Sequence, residues 1–266
     1  MLIQWRLPVA GALVLALLVS AMLLYPGCAD KGYTIEKGVL SLASDFDCPP
    51  FTSIEAGEVS GFDVELGKLI AEELGLEYRL VETPWNELFS GLDQGNYDAV
   101  MGSVTITHDR MKQYDFSRPY LETDQAIMVL EESGIQSGNE LPGKSVAVLD
   151  ESTPQYAAWT IPGVEDIRSY DSVAEVFSAL DDGKVDFMIM DITIARHHQE
   201  NTGRIRMIAE ILTLENYGVV VRSGNQALLD RINQALEKLM ESGAYERLGR
   251  QYFGIHWDNH RSSELP

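Results

Sequence analysis

Basic residues are scarce in this chain of 266: 20 lysines and arginines face 41 aspartates and glutamates, for a net charge of −21 at pH 7. A field of that sign repels phosphate backbones, so no nucleic-acid partner is expected. Metal-binding patterns are missing too. There is no C-x-x-C and no H-E-x-x-H, and His197 and His198 are adjacent rather than four apart, so they do not share a helix face as paired ligands would. Neither a structural metal nor a cofactor is expected. Cysteine is nearly absent, with Cys28 and Cys48 alone. What the chain has in quantity is apolar: 45% hydrophobic residues, with four Trp and eleven Tyr, bury one large core or two modest ones. The acidic excess reads first as a solvated surface that keeps the chain soluble and monomeric, and second as an attraction for cationic ligands.

The amino terminus differs from everything after it. Arg6 is followed by residues 7–24 with no charge and only Ser20 as a polar side chain, a segment that inserts into membranes. It ends in Leu24-Tyr25-Pro26-Gly27-Cys28, which resembles a bacterial lipobox with Tyr25 and Pro26 in place of the usual aliphatic and small residues. A lipidated Cys28, a plain cleaved signal over 1–28 and a retained anchor are the three outcomes open here. Each puts the remainder outside the cytoplasm. With Cys28 lipidated, Cys48 is left without an intramolecular disulfide partner, so packing alone must hold the fold.

After a linker at 29–38, residues 39–44 read as a buried strand. Apolar residues at 62, 66, 69, 70 and 74 then have helical spacing, closed by Gly75. A strand at 78–81, a helix at 85–94 closed by Gly95 and a strand at 97–101 continue an alternation that predicts parallel α/β structure. The same grammar restarts beyond residue 134, with strand 145–149, helices 154–159 and 172–180, and strand 187–190. Gly95-Asn96-Tyr97-Asp98-Ala99-Val100-Met101 and Gly183-Lys184-Val185-Asp186-Phe187-Met188-Ile189-Met190 are parallel phrases: helix-stop glycine, polar step, Asp, apolar strand. A strand at 217–222 and helices at 227–241 and 244–253 close the fold, and 257–266 is a polar tail.

Five phrases carry a family resemblance: Asp45-x-x-x-Pro49-Pro50-Phe51; Gly61-Phe62-Asp63-Val64-Glu65-Leu66; Trp85 with Gly95-x-Tyr97-Asp98-Ala99; Thr105-Ile106-Thr107-x-x-Arg110; and Tyr114-Asp115-Phe116-Ser117-x-Pro119-Tyr120. In this order and spacing the chain resembles the bacterial extracellular solute-binding proteins of family 3, the amino-acid receptors of ABC importers. The resemblance implies a periplasmic-binding-protein type II-like α/β fold. Its first lobe would comprise 39–121 and 220–256 and its second 126–213, joined by two crossing strands near 121–125 and 213–219, with ligand in the cleft. It also implies an ABC permease and its ATPase as partners, and closure of the cleft as the signal.

A zwitterion taken out of water needs a cation for its carboxylate, an anion for its ammonium and neutral partners for the rest. Arg110 stands three residues after Thr107, a cap residue, so it falls in a first helical turn with its fork available to a carboxylate, and it matches the family's carboxylate-binding arginine. Across the cleft, Glu151-Ser152-Thr153-Pro154 reads as loop, cap and helix start, whose free N–H groups suit the same carboxylate. The family commonly has Gly at Glu151 and often a polar residue at Pro154. Asp191, at the carboxyl end of a strand, matches the family's ammonium-binding acid and also stands where a helix cap would. Ser103 and Thr105 match further ammonium contacts. Side-chain selection is expected from Asp45, Cys48, Phe51, Trp85 and Leu149, with Trp85 as the aromatic platform and Asp45 favouring a cationic or amide side chain. Two other readings share this scaffold: a sensory ligand-binding protein, and a cyclohexadienyl-dehydratase-like enzyme for which Glu151 would supply the acid.

Overall fold

A computed structural model describes residues 32–55 and 57–254. The expectations placed on 1–28, with Cys28, and on the tail at 257–266 lie outside the described residues.

Two five-stranded sheets belong to one compact unit beginning at Thr34. The first holds β1 (Val39–Ser44), β4 (Glu77–Glu82), β5 (Ala99–Val100), β6 (Tyr114–Phe116) and β12 (Val220–Arg222), in the order β4-β1-β5-β12-β6. β1 runs parallel to β4 and β5, while β12 is antiparallel to β5 and β6. Every residue of β1 is buried, as a central parallel strand requires, whereas the edge strand β4 exposes residues along its length. The second sheet holds β7 (Leu121–Leu130), β8 (Ser145–Leu149), β9 (Asp166–Tyr170), β10 (Phe187–Asp191) and β11 (Ile205–Tyr217), in the order β11-β7-β10-β8-β9. A small hairpin, β2 (Ser53–Glu55) with β3 (Glu58–Ser60), stands apart from both.

Helices α1 (Phe62–Leu74), α2 (Leu88–Gln94), α3 (Thr153–Thr160), α4 (Val173–Asp181), α5 (Ile192–Thr202), α6 (Gln226–Glu241) and α7 (Ala244–Phe253) fill the connections. Gly75 and Gly95 end α1 and α2 in the left-handed conformation their positions predict, at φ 67° and 75°. The helix expected over 85–94 begins instead as a 3₁₀ turn, Trp85–Glu87, whose leading Trp85 N–H donates to the Asp45 carboxylate at 3.2 Å. The strand expected at 217–222 is two strands: Tyr217 pairs with Leu121 in the second sheet and Val220 with Val100 in the first. The chain changes sheets at Gly218, where a β-carbon would sit 3.0 Å from the Ile106 side chain.

The two parallel phrases fold into the same device. Asp98 accepts hydrogen bonds from the main-chain N–H (2.8 Å) and hydroxyl of Ser41 on β1, and its own N–H is donated back to the Ser41 hydroxyl at 3.0 Å. Asp186 repeats this with Ser145 on β8, at 2.8, 2.8 and 3.2 Å. Each aspartate thereby fixes the strand after the helix-stop glycine against its neighbour in the sheet.

The two sheets are linked where β7 and β11 pair antiparallel from Tyr217↔Leu121 to Ile205↔Leu130. Beside them Gly61, at φ 140°, starts α1. A β-carbon there would lie 2.0 Å from the Phe51 carbonyl oxygen, and the φ is one that side chains avoid. Gly61→Ala is therefore expected to destabilise the protein by about 3 kcal/mol, read from the urea midpoint at unchanged m-value.

Candidate functional site

The carboxyl ends of the strands converge on one cavity enclosing about 540 Å³ of empty space, part of it open to solvent. The first sheet contributes Asp45 and Cys48 from the loop after β1, Gly102, Ser103 and Thr105 from the segment after β5, and Trp85 and Arg110. The second contributes Leu149 at the end of β8, Ser152, Thr153 and Pro154 at the start of α3, Met190 and Asp191 at the end of β10, and Val173 and Ile194 from the first turns of α4 and α5.

Arg110 is half-buried and is held by neutral groups only. Its Nη1 donates to the Thr105 carbonyl at 2.9 Å and its Nη2 to the Glu151 carbonyl, from the second sheet's side, at 3.3 Å. The guanidinium carbon lies 5.4 Å from the Trp85 ring centroid and 5.3 Å from that of Phe89. Among the described residues no carboxylate lies within ion-pair distance of it, so its remaining N–H donors have no anion. Burial pulls its pKa down from the usual arginine value, against the nearby charges of Glu215, Asp191 and Glu151.

Asp191 has the opposite want. It is 6% exposed; Oδ2 accepts from the Tyr217 hydroxyl, while Oδ1 is buried and has no partner. Burial pushes its carboxyl up to about 7, assisted by the charge of Glu215 and opposed by Tyr217, Gln125 and Arg110. The cavity thus presents an arginine without an anion and an aspartate without a cation.

The model of one family, the bacterial extracellular solute-binding proteins of family 3, matches residues 40–255. The chain belongs to that family. Its name puts this solute-binding protein outside the cytoplasm. It is 32% identical over 222 residues to a probable histidine-binding protein of Neisseria gonorrhoeae, spanning 81% of this chain and 83% of that one. It is 30% identical to an L-cystine-binding protein of Escherichia coli over 91% and 93% of the two chains. The crystal structure of the substrate-binding protein of an amino acid ABC transporter superposes with a TM-score of 0.78 at 30% identity, covering 82% of this chain and all of that one. The likeness includes the two sheet-bearing lobes and the type II fold of the family.

Within this solute-binding protein, ten of the eleven expected contact residues line the cavity, and Phe51 does not. Phe51 is fully buried, packed edge-on against Phe62 and Tyr217 with ring centroids 6.2 and 5.4 Å away. Its main chain is pinned to the start of α1, where its carbonyl accepts the Asp63 N–H at 3.0 Å, so the ring turns into the core behind the site. Arg110 differs in its setting: Thr107 Oγ1 does accept the Arg110 N–H at 3.2 Å, but the element is a 3₁₀ turn, Arg110–Lys112, rather than an α-helix.

Ser152 is the α3 cap, its hydroxyl accepting the Gln155 N–H at 3.3 Å and donating to the Leu149 carbonyl at 2.6 Å. Asp191 occupies the cap position of α5 without making a side-chain cap bond. Glu151 adopts φ 52°, which explains why glycine suits this position, and its carbonyl rather than its carboxylate reaches Arg110. Its side chain does not line the cavity. Asp45 spends Oδ1 on the Asp47 N–H (3.1 Å) and Oδ2 on the Trp85 N–H (3.2 Å), and burial raises its pKa. Cys48 is a buried thiol whose pKa burial pushes well up, which leaves it inert as a nucleophile.

Sequence reasoning did not single out Val173, Met190 and Ile194 as lining residues. Their signal was the strand-to-helix junction each occupies. Nor did it give Asp63 a role at the site. Asp63 accepts the N–H of Ser103 at 2.9 Å and the Tyr120 hydroxyl at 2.9 Å, and so holds Ser103 at φ 54° beside the cavity.

Proposed function

We propose that this protein receives a polar or cationic L-amino acid and hands it to an ABC permease and its ATPase by closing its cleft, with no chemistry done on the ligand. The observation that carries this reading is the pairing of Arg110, which has no anion, with Asp191, whose Oδ1 has no partner, in one cavity. The α-carboxylate takes the arginine fork, helped from the second lobe by the Thr153 N–H at the start of α3, since Pro154 has no N–H and the Gln155 N–H is held by the Ser152 cap. The α-ammonium takes Asp191 Oδ1, with Ser103 and Thr105 beside it. Trp85, Cys48 and Leu149 bound the side chain. The charged lining residues are Asp45, Asp191 and Arg110, one negative charge in excess, which complements a ligand of net charge +1. We place the lobe boundaries at 39–121 with 220–256 and at 126–213, and the membrane attachment at a lipidated Cys28.

Closure is supported by hydrogen bonds that already cross the cleft. Trp85 Nε1 donates to the Asp150 carbonyl at 2.9 Å, Arg110 to the Glu151 carbonyl, and the Ala174 N–H to the Asp47 carboxylate at 3.0 Å. Ligand bound on the Arg110 side adds the Asp191 and α3 contacts only when the cleft is shut, and so biases the protein toward the closed form.

The test is a thermal-shift screen of the purified protein, stripped of bound solute, against the twenty L-amino acids with ornithine and citrulline. A chemically related group of amino acids is expected to raise the melting temperature by mass action; a folded, empty protein that responds to none of them sinks the reading.

A further inference from the structure

β11 carries a buried acid that the receptor reading leaves unused. Glu215 is 2% exposed and does not line the cavity, yet both of its oxygens are engaged. Oε2 accepts from the Thr153 hydroxyl at 3.0 Å and Oε1 from the Thr213 hydroxyl at 2.5 Å. Thr153 Oγ1 in turn accepts from Gln125 Nε2 at 2.9 Å, and Gln125 is on β7. A hydroxyl has one proton, and Thr153 directs its own into the hydrogen bond to Glu215, so that side chain has none left for a ligand carboxylate. Two residues along the strand, on the same face, Tyr217 donates to Asp191. One stretch of β11 therefore grips two of the second lobe's polar lining residues, Thr153 through Glu215 and Asp191 through Tyr217.

We infer that Glu215 is a positioning residue for the amino-acid site: it fixes Thr153 from behind and sets a second negative charge near Asp191, so that this end of the site is complete only when a ligand brings an ammonium. The inference rests on the amino-acid reading. The groups facing Asp191 are Glu215 and Tyr217 from β11, Gln125 from β7, Arg110 from its 3₁₀ turn and the Cys48 thiol from the loop after β1. Of these Glu215 is the one whose charge drives the Asp191 carboxyl upward, after burial itself. An arriving ammonium offsets both acids and lets the proton on Asp191 pass to solvent. Binding near neutral pH is then coupled to proton release, and Glu215 sets the pH at which that occurs.

The experiment is calorimetry in two buffers of different ionisation enthalpy at pH 7, with the amino acid of largest thermal shift among the twenty L-amino acids and ornithine. The wild-type protein is expected to release about half a proton per ligand, as a group titrating near 7 does. Glu215→Gln keeps an acceptor for Thr153 but removes the charge; it is expected to cut the release to under about 0.2, move the midpoint of the affinity–pH curve down by about one unit and weaken binding at pH 8 roughly five- to tenfold. Glu215→Asp, which keeps the charge, should restore the release. A wild-type protein that binds without releasing protons, or a folded Glu215→Gln variant that matches the wild type in proton count and midpoint, overturns the inference while leaving the receptor reading intact. If no amino acid binds the wild type, the two fall together.

Discussion

Arg110→Ala is expected to weaken amino-acid binding about 30- to 5,000-fold, the equivalent of the ~2–5 kcal/mol typical for removing one partner of a buried charge pair. The loss has two sources. The ligand carboxylate would be desolvated beside Trp85 and Phe89 with no cation, and the bonds that Arg110 makes to the carbonyls of Thr105 and Glu151 would go too. Arg110→Lys keeps a charge but loses the planar fork that spans both carbonyls, and should fall between the two. Calorimetry with the amino acid chosen by the screen gives the numbers. Binding by Arg110→Ala within threefold of wild type would mean that the carboxylate is held elsewhere, with the start of α3 as the next place to look.

Affinity should also rise steeply with pH. Asp191 titrates near 7 in the ligand-free protein and must be ionised to pair with an ammonium, so protonation competes with ligand. Two pH units below that pKa only about one molecule in a hundred has the carboxylate ready, and binding at pH 5 is expected to be about 100-fold weaker than at pH 8. Asp191→Asn should bind weakly and with a flat profile. A wild-type affinity that is constant from pH 5 to 8 would remove Asp191 from the ammonium role. For the empty protein the sign is reversed. Asp63 and Asp191 both titrate near 7 when folded and near the ordinary carboxylate value when unfolded, so the folded state holds more protons between those limits. Their contribution to stability is present in acid and is lost as pH rises from about 4 to about 7.

Local pattern was enough for most elements. Val39–Ser44, Phe62–Leu74 and Ser145–Leu149 are where apolar run, helical spacing and capping glycine put them, because burial on one face or both leaves a period in the sequence that does not depend on what lies opposite. The repeated Asp98 and Asp186 phrases were legible as a pattern, though their partners Ser41 and Ser145 were not. Those serines lie 57 and 41 residues away, and nothing local marks them.

The residue types at the site were also legible, since a zwitterion demands an arginine, an acid and hydroxyls wherever the fold places them. Family membership was legible in the sequence, and so were ten of the fifteen residues that line the cavity. Three things did not: that Phe51 turns into the core, that the strand at 217–222 breaks between two sheets at Gly218, and that Glu215 is the acid behind Thr153. Each depends on which long-range partner reaches a residue first. A phenylalanine is equally apolar against a ligand or against Tyr217, and a glutamate in an exposed-looking Leu214-Glu215-Asn216 stretch carries no local sign of burial. Only the pairing of β11 with β7, which brings Thr153, Asp191 and Glu215 together from positions up to 62 residues apart, decides that this carboxylate faces inward.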